Sequence, residues 1–186
     1  MRQLIFQEYV TLDGYATDAD GKASFFGTFG EHEAEVRATI ERVDTMLLGA
    51  ETYRLFVGDW PSAEHPIAPL LNALRKVVVS TTLAETPWGA HEPATVVRDL
   101  DAVRALKAED GQDIVLWGSI SLFHSLLAAG LVDEIELRVC PILLGAGRSV
   151  FPADGSTLGL ELIEARPSGE RGVLLRYRPT GSAAHR

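Results

Sequence analysis

The chain has 186 residues, 46% of them hydrophobic, and its 26 acidic and 17 basic side chains give a formal net charge of −9. That length and ordinary charged content predict one globular domain with a substantial core and exclude a disordered or fibrous chain. The negative charge disfavours broad attachment to nucleic acid or an anionic membrane, while leaving room for a local basic pocket that grips an anionic ligand.

Cys140 is the single cysteine, so no intrachain disulfide can form and a cytoplasmic setting is expected. Its neighbours Glu136, Leu137, Arg138 and Val139 read as a strand, which makes the thiol a packed, inert group. The segment Met1 to Glu8 turns polar too soon for a signal peptide, and no apolar run approaches the roughly 20 residues of a membrane helix.

Along the chain, Leu4 to Val10 reads as a first strand that stops at the turn pair Asp13-Gly14. Glu31 to Val43 places apolar residues at helical offsets among acidic ones, and Thr45 to Gly49 is a short apolar run that suits a buried strand. Pro66 to Leu74 predicts a helix, and Lys76 to Ser80 a strand whose three consecutive valines fit a buried pleat. Asp59 to Pro69, with Trp60-Pro61 and His65-Pro66, reads as a loop.

Further on, Asp99 is placed to cap a helix running through Lys107, and Ile114 to Trp117 is another buried strand. Ile120 to Ala129 is helical and closes at Gly130, before Glu134 to Cys140 resumes strand character. Leu160 to Arg166 and Val173 to Arg178 flank Pro167 to Gly172 with no helix between them, which predicts an antiparallel hairpin at a sheet edge. Together these elements predict a three-layer α/β/α fold around a mixed, mostly parallel sheet of about eight strands. Residues 1–179 form one domain in this reading, and 180–186 a flexible tail.

The most informative local feature is Trp117-Gly118-Ser119-Ile120-Ser121-Leu122. A buried strand that breaks at glycine and immediately opens a helix aims free amides and a positive dipole end at one spot, where a phosphate can bind. The bland alternative is a tight strand-to-helix turn. The G-x-G-x-x-G dinucleotide fingerprint is absent. Gly49-Ala50-Glu51-Thr52 and Ser80-Thr81-Thr82 follow two other strands, and ligands of open α/β sheets collect at such carboxyl ends. N-capping of helices is the alternative for both. Glycines also cluster in Leu143 to Arg148, which reads as an irregular loop.

Thr11-Leu12-Asp13-Gly14-Tyr15, Leu48 to Tyr53, Lys76 to Leu83, Gly118-Ser119 with Leu122, and Gly130 to Glu134 leading to Pro141 to Gly147 occur in one order. In this the chain resembles the dihydrofolate-reductase-like family. More narrowly, it resembles the reductase domain of the riboflavin-pathway bifunctional deaminase-reductase, over roughly residues 3 to 178. The resemblance implies a nicotinamide-dependent reductase, usually using NADPH with NADH as the alternative cofactor, and often a homodimer. The substrate implied is a heterocycle such as 5-amino-6-(5-phosphoribosylamino)uracil.

By the same resemblance, Gly49, Ala50, Glu51 and Thr52, with Ser80, Thr81 and Thr82, hold the adenosine side of the cofactor. Gly118, Ser119, Ile120, Ser121 and Leu122 hold its pyrophosphate, and the segment with Thr11, Gly14 and Thr17 runs past the nicotinamide and substrate. The chain departs from the pattern in three places, one being the Asp-Pro segment expected after the Gly-x-x-Thr motif, for which Asp59-Trp60-Pro61 is the nearest acidic loop. Many relatives carry Arg where Ala50 stands here, with Arg54 one helical turn later as a substitute, and riboflavin-pathway members carry a Lys near Gln7. The deaminase zinc motifs are absent from the sequence.

Hydride delivery to a C=N bond generally needs a proton source, for which Asp13 and Asp59 are the candidates. Asp13 competes with its own role as a turn former. Dihydrofolate reductase proper places an acid on the helix after the first loop, where Glu31, Glu33 and Glu35 lie; the alternative for that run is a solvated helix face. The five histidines lack the spacing of a zinc site, and G-x-S-x-G is not spelled out around Ser119, which disfavours a metal centre and a serine hydrolase. Two classes remain: a reductase, or a non-catalytic nucleotide-binding protein on the same fold.

Overall fold

The computed structural model describes residues 1–25, 33–153, 155 and 157–182. Its elements, in chain order, are β1 (Leu4–Thr11), β2 (Tyr15–Thr17), α1 (Glu33–Glu41), β3 (Val43–Gly49), α2 (Ala50–Asp59), α3 (Ala68–Ala73), β4 (Arg75–Val79) and β5 (Thr95–Val97). There follow α4 (Leu100–Ala108), β6 (Asp113–Trp117), α5 (Ile120–Ala128), β7 (Glu134–Cys140), β8 (Arg148–Ser149), β9 (Leu158–Ser168) and β10 (Gly172–Ser182).

Eight strands form one sheet in the order β5-β4-β3-β6-β1-β7-β10-β9. All pairs from β5 to β7 are parallel, and β10 is antiparallel to both β7 and β9. The mostly parallel sheet with its terminal hairpin matches the expected architecture.

Alternation along each central strand sends side chains to opposite faces, and two cores follow from it. Leu4, Phe6, Leu47, Ile114 and Leu116 face α4 and α5, where Val103, Leu106, Phe123 and Leu126 meet them. Ile5, Met46, Leu48, Val115 and Trp117 face the opposite way, toward Ile40 of α1, Tyr53 of α2 and Leu71 of α3. Helices therefore cover both faces. Burying a side chain such as Leu47 or Leu116 contributes roughly 1.5–3 kcal/mol each, so the central strands are the most strongly held part of the molecule.

Local signals set the ends of elements. Asp99 caps α4 by accepting a hydrogen bond from the Ala102 amide at 2.9 Å, as its position predicts. Gly130, at φ 65°, ends α5 in a left-handed turn.

Three features differ from the sequence reading. The expected loop at Asp59 starts later, because α2 runs to Asp59 and a single 3-10 turn, Trp60–Ser62, follows it. β10 reaches Ser182, so pairing with β9 orders part of the expected tail. Finally, β2 and β8 form a small separate antiparallel sheet where Gly147 lies against the Thr17 carbonyl. A Cβ at residue 147 would stand 2.0 Å from that oxygen, so only glycine permits this approach.

Candidate active site

The carboxyl ends of β1, β3 and β6 lie side by side and open into a cleft of ≈ 2140 Å³. Two helices begin at its wall. α2 follows β3 through Gly49, and α5 follows β6 through Gly118 and Ser119. Gly118 and Ser119 both have φ 55°, which reverses the chain sharply between strand and helix. This is routine for glycine and strained for serine.

Hydrogen bonds explain why Ser119 tolerates that conformation. Its hydroxyl accepts from the Gly49 amide at 2.8 Å and donates to the Trp117 carbonyl at 3.1 Å, while its own amide donates to Thr52 Oγ1 at 3.0 Å. Ser119 is therefore a clamp between two helix starts. Its hydroxyl proton is given to the Trp117 carbonyl within the protein.

The first-turn amides of Ile120, Ser121 and Leu122 have no preceding turn to donate to, and the same holds for Ala50, Glu51 and Thr52. All six residues line the cleft, as do Gly49, Gly118, Ser119 and Thr17. Two positive dipole ends thus face one region. Arg148 of β8 reaches the same region, donating to Ser121 Oγ at 2.7 Å and pairing with Glu51 Oε2 at 3.1 Å. The irregular-loop reading of Leu143 to Arg148 missed this cation. Arg54 also lines the cleft.

Other expected site residues lie elsewhere. Thr11 Oγ1 accepts from the Tyr15 amide at 2.9 Å and donates to Asp13 Oδ1 at 2.6 Å. Asp13 also accepts from the amides of Leu144 and Gly145, at 3.1 and 2.7 Å. These hydrogen bonds, led by that from Thr11, hold the Asp13 carboxyl below the usual range. Thr11, Asp13 and Gly14 pin the β1–β2 turn and are not among the cleft-lining residues.

Ser80 Oγ accepts from the amides of Thr82 and Leu83, a local turn, and Ser80, Thr81 and Thr82 also lie outside the lining, which β4 reaches only through Val79. Asp59 does line the cleft, exposed at the end of α2. Of the helical acids, Glu33 lines the cleft and pairs with Arg37 at 3.3 Å, while Glu31 lies outside the described residues. Glu35 turns to Arg166 and Ser168; burial pushes its carboxyl up, but those two hydrogen bonds and the charges of Arg138 and Arg166 together hold it low.

The far half of the cleft is aromatic. Phe56 sits 6.2 Å from Trp60 and 6.3 Å from Trp117, centroid to centroid, and the Trp117 indole N–H donates to Gln7 Oε1. Arg138 of β7 enters from behind, 2% exposed, bonded to Glu136 Oε1 at 3.1 Å and Thr39 Oγ1 at 3.2 Å. Its charge is thus compensated inside the protein, and flat apolar walls meet a polar floor. Such a pocket accepts a planar heterocycle that carries hydrogen-bonding edges.

Glu8 was not among the expected site residues. It lines the cleft, is 8% exposed, and burial raises its pKa to about 8, against which the Tyr9 amide and the Arg148 charge act. A carboxyl in the middle of a strand buried on both faces is the signal that marks it. Among the described residues no group of three or more His, Cys, Asp or Glu could hold a metal ion, and no helix is long and apolar enough to cross a membrane.

Comparison with known proteins gives a consistent family assignment. The profile of the RibD C-terminal domain family matches residues 2–174. YyaP, an uncharacterized protein of Bacillus subtilis (strain 168), is 27% identical over 187 residues, covering 97% of this chain and 96% of that protein. The crystal structure described as a riboflavin biosynthesis protein from Shewanella sp. PV-4 superposes with a TM-score of 0.79 at 23% identity, covering 96% of this chain and 99% of that one. Dihydrofolate reductase from Enterococcus faecalis, complexed with NADP(H), superposes with a TM-score of 0.62 at 12% identity, covering 96% of each chain.

Proposed function

Since the chain belongs to the RibD C-terminal domain family, we propose that it is a reductase that moves a hydride from NADPH to a pyrimidine or pteridine-like heterocycle. The observation that carries this reading is the convergence of the α2 and α5 N-termini with Arg148 at one end of an aromatic-walled cleft. In a protein of net charge −9, two helix starts and an arginine at one spot suit a pyrophosphate. The amides of Ile120, Ser121 and Leu122 would hold that group, with Arg148 released from Glu51 to face it. Arg54 stands where a further phosphate could be met, in place of the arginine that Ala50 lacks. NADPH, when bound, supplies the hydride. Phe56, Trp60 and Trp117 orient a flat ring, and their apolar faces exclude water from it.

The test is NADPH and NADH oxidation by the purified protein with 5-amino-6-(5-phosphoribosylamino)uracil and with dihydrofolate. Turnover of the pyrimidine is the expected result, and turnover of dihydrofolate alone would reassign the substrate to the pteridine class. A second reading, a nucleotide-binding protein without chemistry, is favoured by Ala50 and by Gln7, whose amide oxygen is engaged by Trp117. Absence of turnover with both compounds, in a protein that binds NADPH, would support it.

A homodimer belongs to the same proposal. Leu158, Leu160 and Leu162 recur at every second residue of β9 and stay exposed, an apolar stripe suited to a copy of the same chain.

A further inference from the structure

The reductase reading leaves the source of the proton open. Asp13 is committed to the β1–β2 turn, and Asp59 stands exposed at the end of α2. Glu8 differs from both. It sits near the carboxyl end of β1, where the strand meets the start of α5. Its Oε1 accepts from the Tyr9 amide at 3.0 Å, and among the described residues no hydrogen bond is made to Oε2. Gly118 stands beside this oxygen, a Cβ there lying 3.7 Å from Oε2, and both residues line the cleft.

The groups that face this carboxyl are few. Arg148 approaches from β8, and Cys140 from β7 is a neutral thiol, pushed up to about 12 by burial. Glu51 also lines the cleft and pairs with Arg148. Burial thus favours the protonated carboxyl, and the Arg148 charge favours the carboxylate that forms when its proton leaves.

We propose that Glu8 donates the proton that accompanies hydride transfer in this cleft. The inference rests on the reductase reading above. As the hydride forms a C–H bond at the carbon of a C=N or C=O bond, the π electron pair moves to the nitrogen or oxygen. The Glu8 O–H bond breaks and its proton completes the new N–H or O–H bond. The substrate gains two electrons and the nicotinamide loses them. The Glu8 carboxylate keeps the hydrogen bond from the Tyr9 amide until water in the cleft returns the proton.

Glu8→Gln tests this directly, because the amide is neutral and has the shape of the protonated acid, so the variant keeps the fold. Full-length protein labelled with ¹³C at the glutamate carboxyl is titrated by NMR, NADPH affinity is measured at pH 7, and turnover is followed with the two compounds named above. One carboxyl resonance is expected to titrate near pH 8 and to vanish in E8Q. E8Q should bind NADPH like the wild type, while its kcat falls about 100-fold and loses the decline through pH 8. Titration of that carboxyl below about pH 6 overturns the inference, as does an E8Q variant with wild-type kcat. A wild type that binds no NADPH, or that reduces neither compound, overturns the reductase reading and this inference together.

Discussion

At the residue scale, two carboxylates of one strand and its turn have opposite fates. Asp13 is held ionised by hydrogen bonds and stabilises the fold at neutral pH; that contribution is lost as pH falls through its lowered pKa. Asp13→Asn should therefore lower the melting temperature at pH 7, with the deficit shrinking in acid. Glu8 works in the other direction. Its pKa rises from an ordinary 4.5 to about 8, so the folded state binds more protons than the unfolded one between these values. Stability falls as pH climbs through that window, by ~5 kcal/mol in total on the scale of 1.36 kcal/mol per pH unit. Denaturant unfolding of wild type and E8Q should show the wild type losing roughly 1 kcal/mol more between pH 7 and 9. Parallel stability curves would mean that Glu8 is already ionised at pH 7. The sequence marked Asp13 through its turn signal, but it gave less weight to Glu8, which stands in an ordinary strand pattern. An acid in a strand with both faces buried is unusual because its desolvation must be offset, and that is where the missed signal lay.

At the scale of elements, the site is a joint between two helix starts. Gly49, Thr52 and Ser119 tie α2 to α5 through hydrogen bonds of 2.8 and 3.0 Å, so the two sets of free amides are held in one arrangement. Gly118→Ala would place a Cβ 3.3 Å from Thr52 atoms at a φ of 55°. A destabilisation of about 1–2 kcal/mol is expected, measurable by denaturant unfolding, together with weaker NADPH binding. Arg148→Met should leave stability nearly unchanged, because its pair with Glu51 is exposed, and should raise the dissociation constant for NADPH about tenfold. An unchanged constant would remove Arg148 from the anion site. The long elements were legible because their apolar patterns are clear: short continuous runs for the central strands, a helical period for α4 and α5. β2 and β8 were not, since strands of three and two residues carry no period, and their pairing depends on Gly147 meeting Thr17 across the fold. Arg148 was missed with them, because a loop reading gives no direction to a side chain.

At the scale of the whole molecule, an acidic chain of the RibD C-terminal domain family brings two helix starts and Arg148 to one cleft. The mostly parallel sheet was readable from the order of motifs, and the carboxyl ends of its strands marked the region of the site. Of the three strand ends read from the sequence, those after β3 and β6 line the cleft with the end of β1, whereas the turn after β4 folds on itself through Ser80. The exposed stripe Leu158, Leu160 and Leu162 belongs to this scale too. Light scattering at micromolar concentration should give the mass of a dimer, and Leu160→Glu should shift it toward a monomer; a monomeric wild type would contradict the homodimer. The central claim, a cleft built for a nicotinamide dinucleotide, meets its most direct test in Trp117, which lines that cleft. Titration with NADPH should quench tryptophan fluorescence saturably at micromolar concentration, and absence of binding by both NADPH and NADH up to millimolar concentration would contradict it.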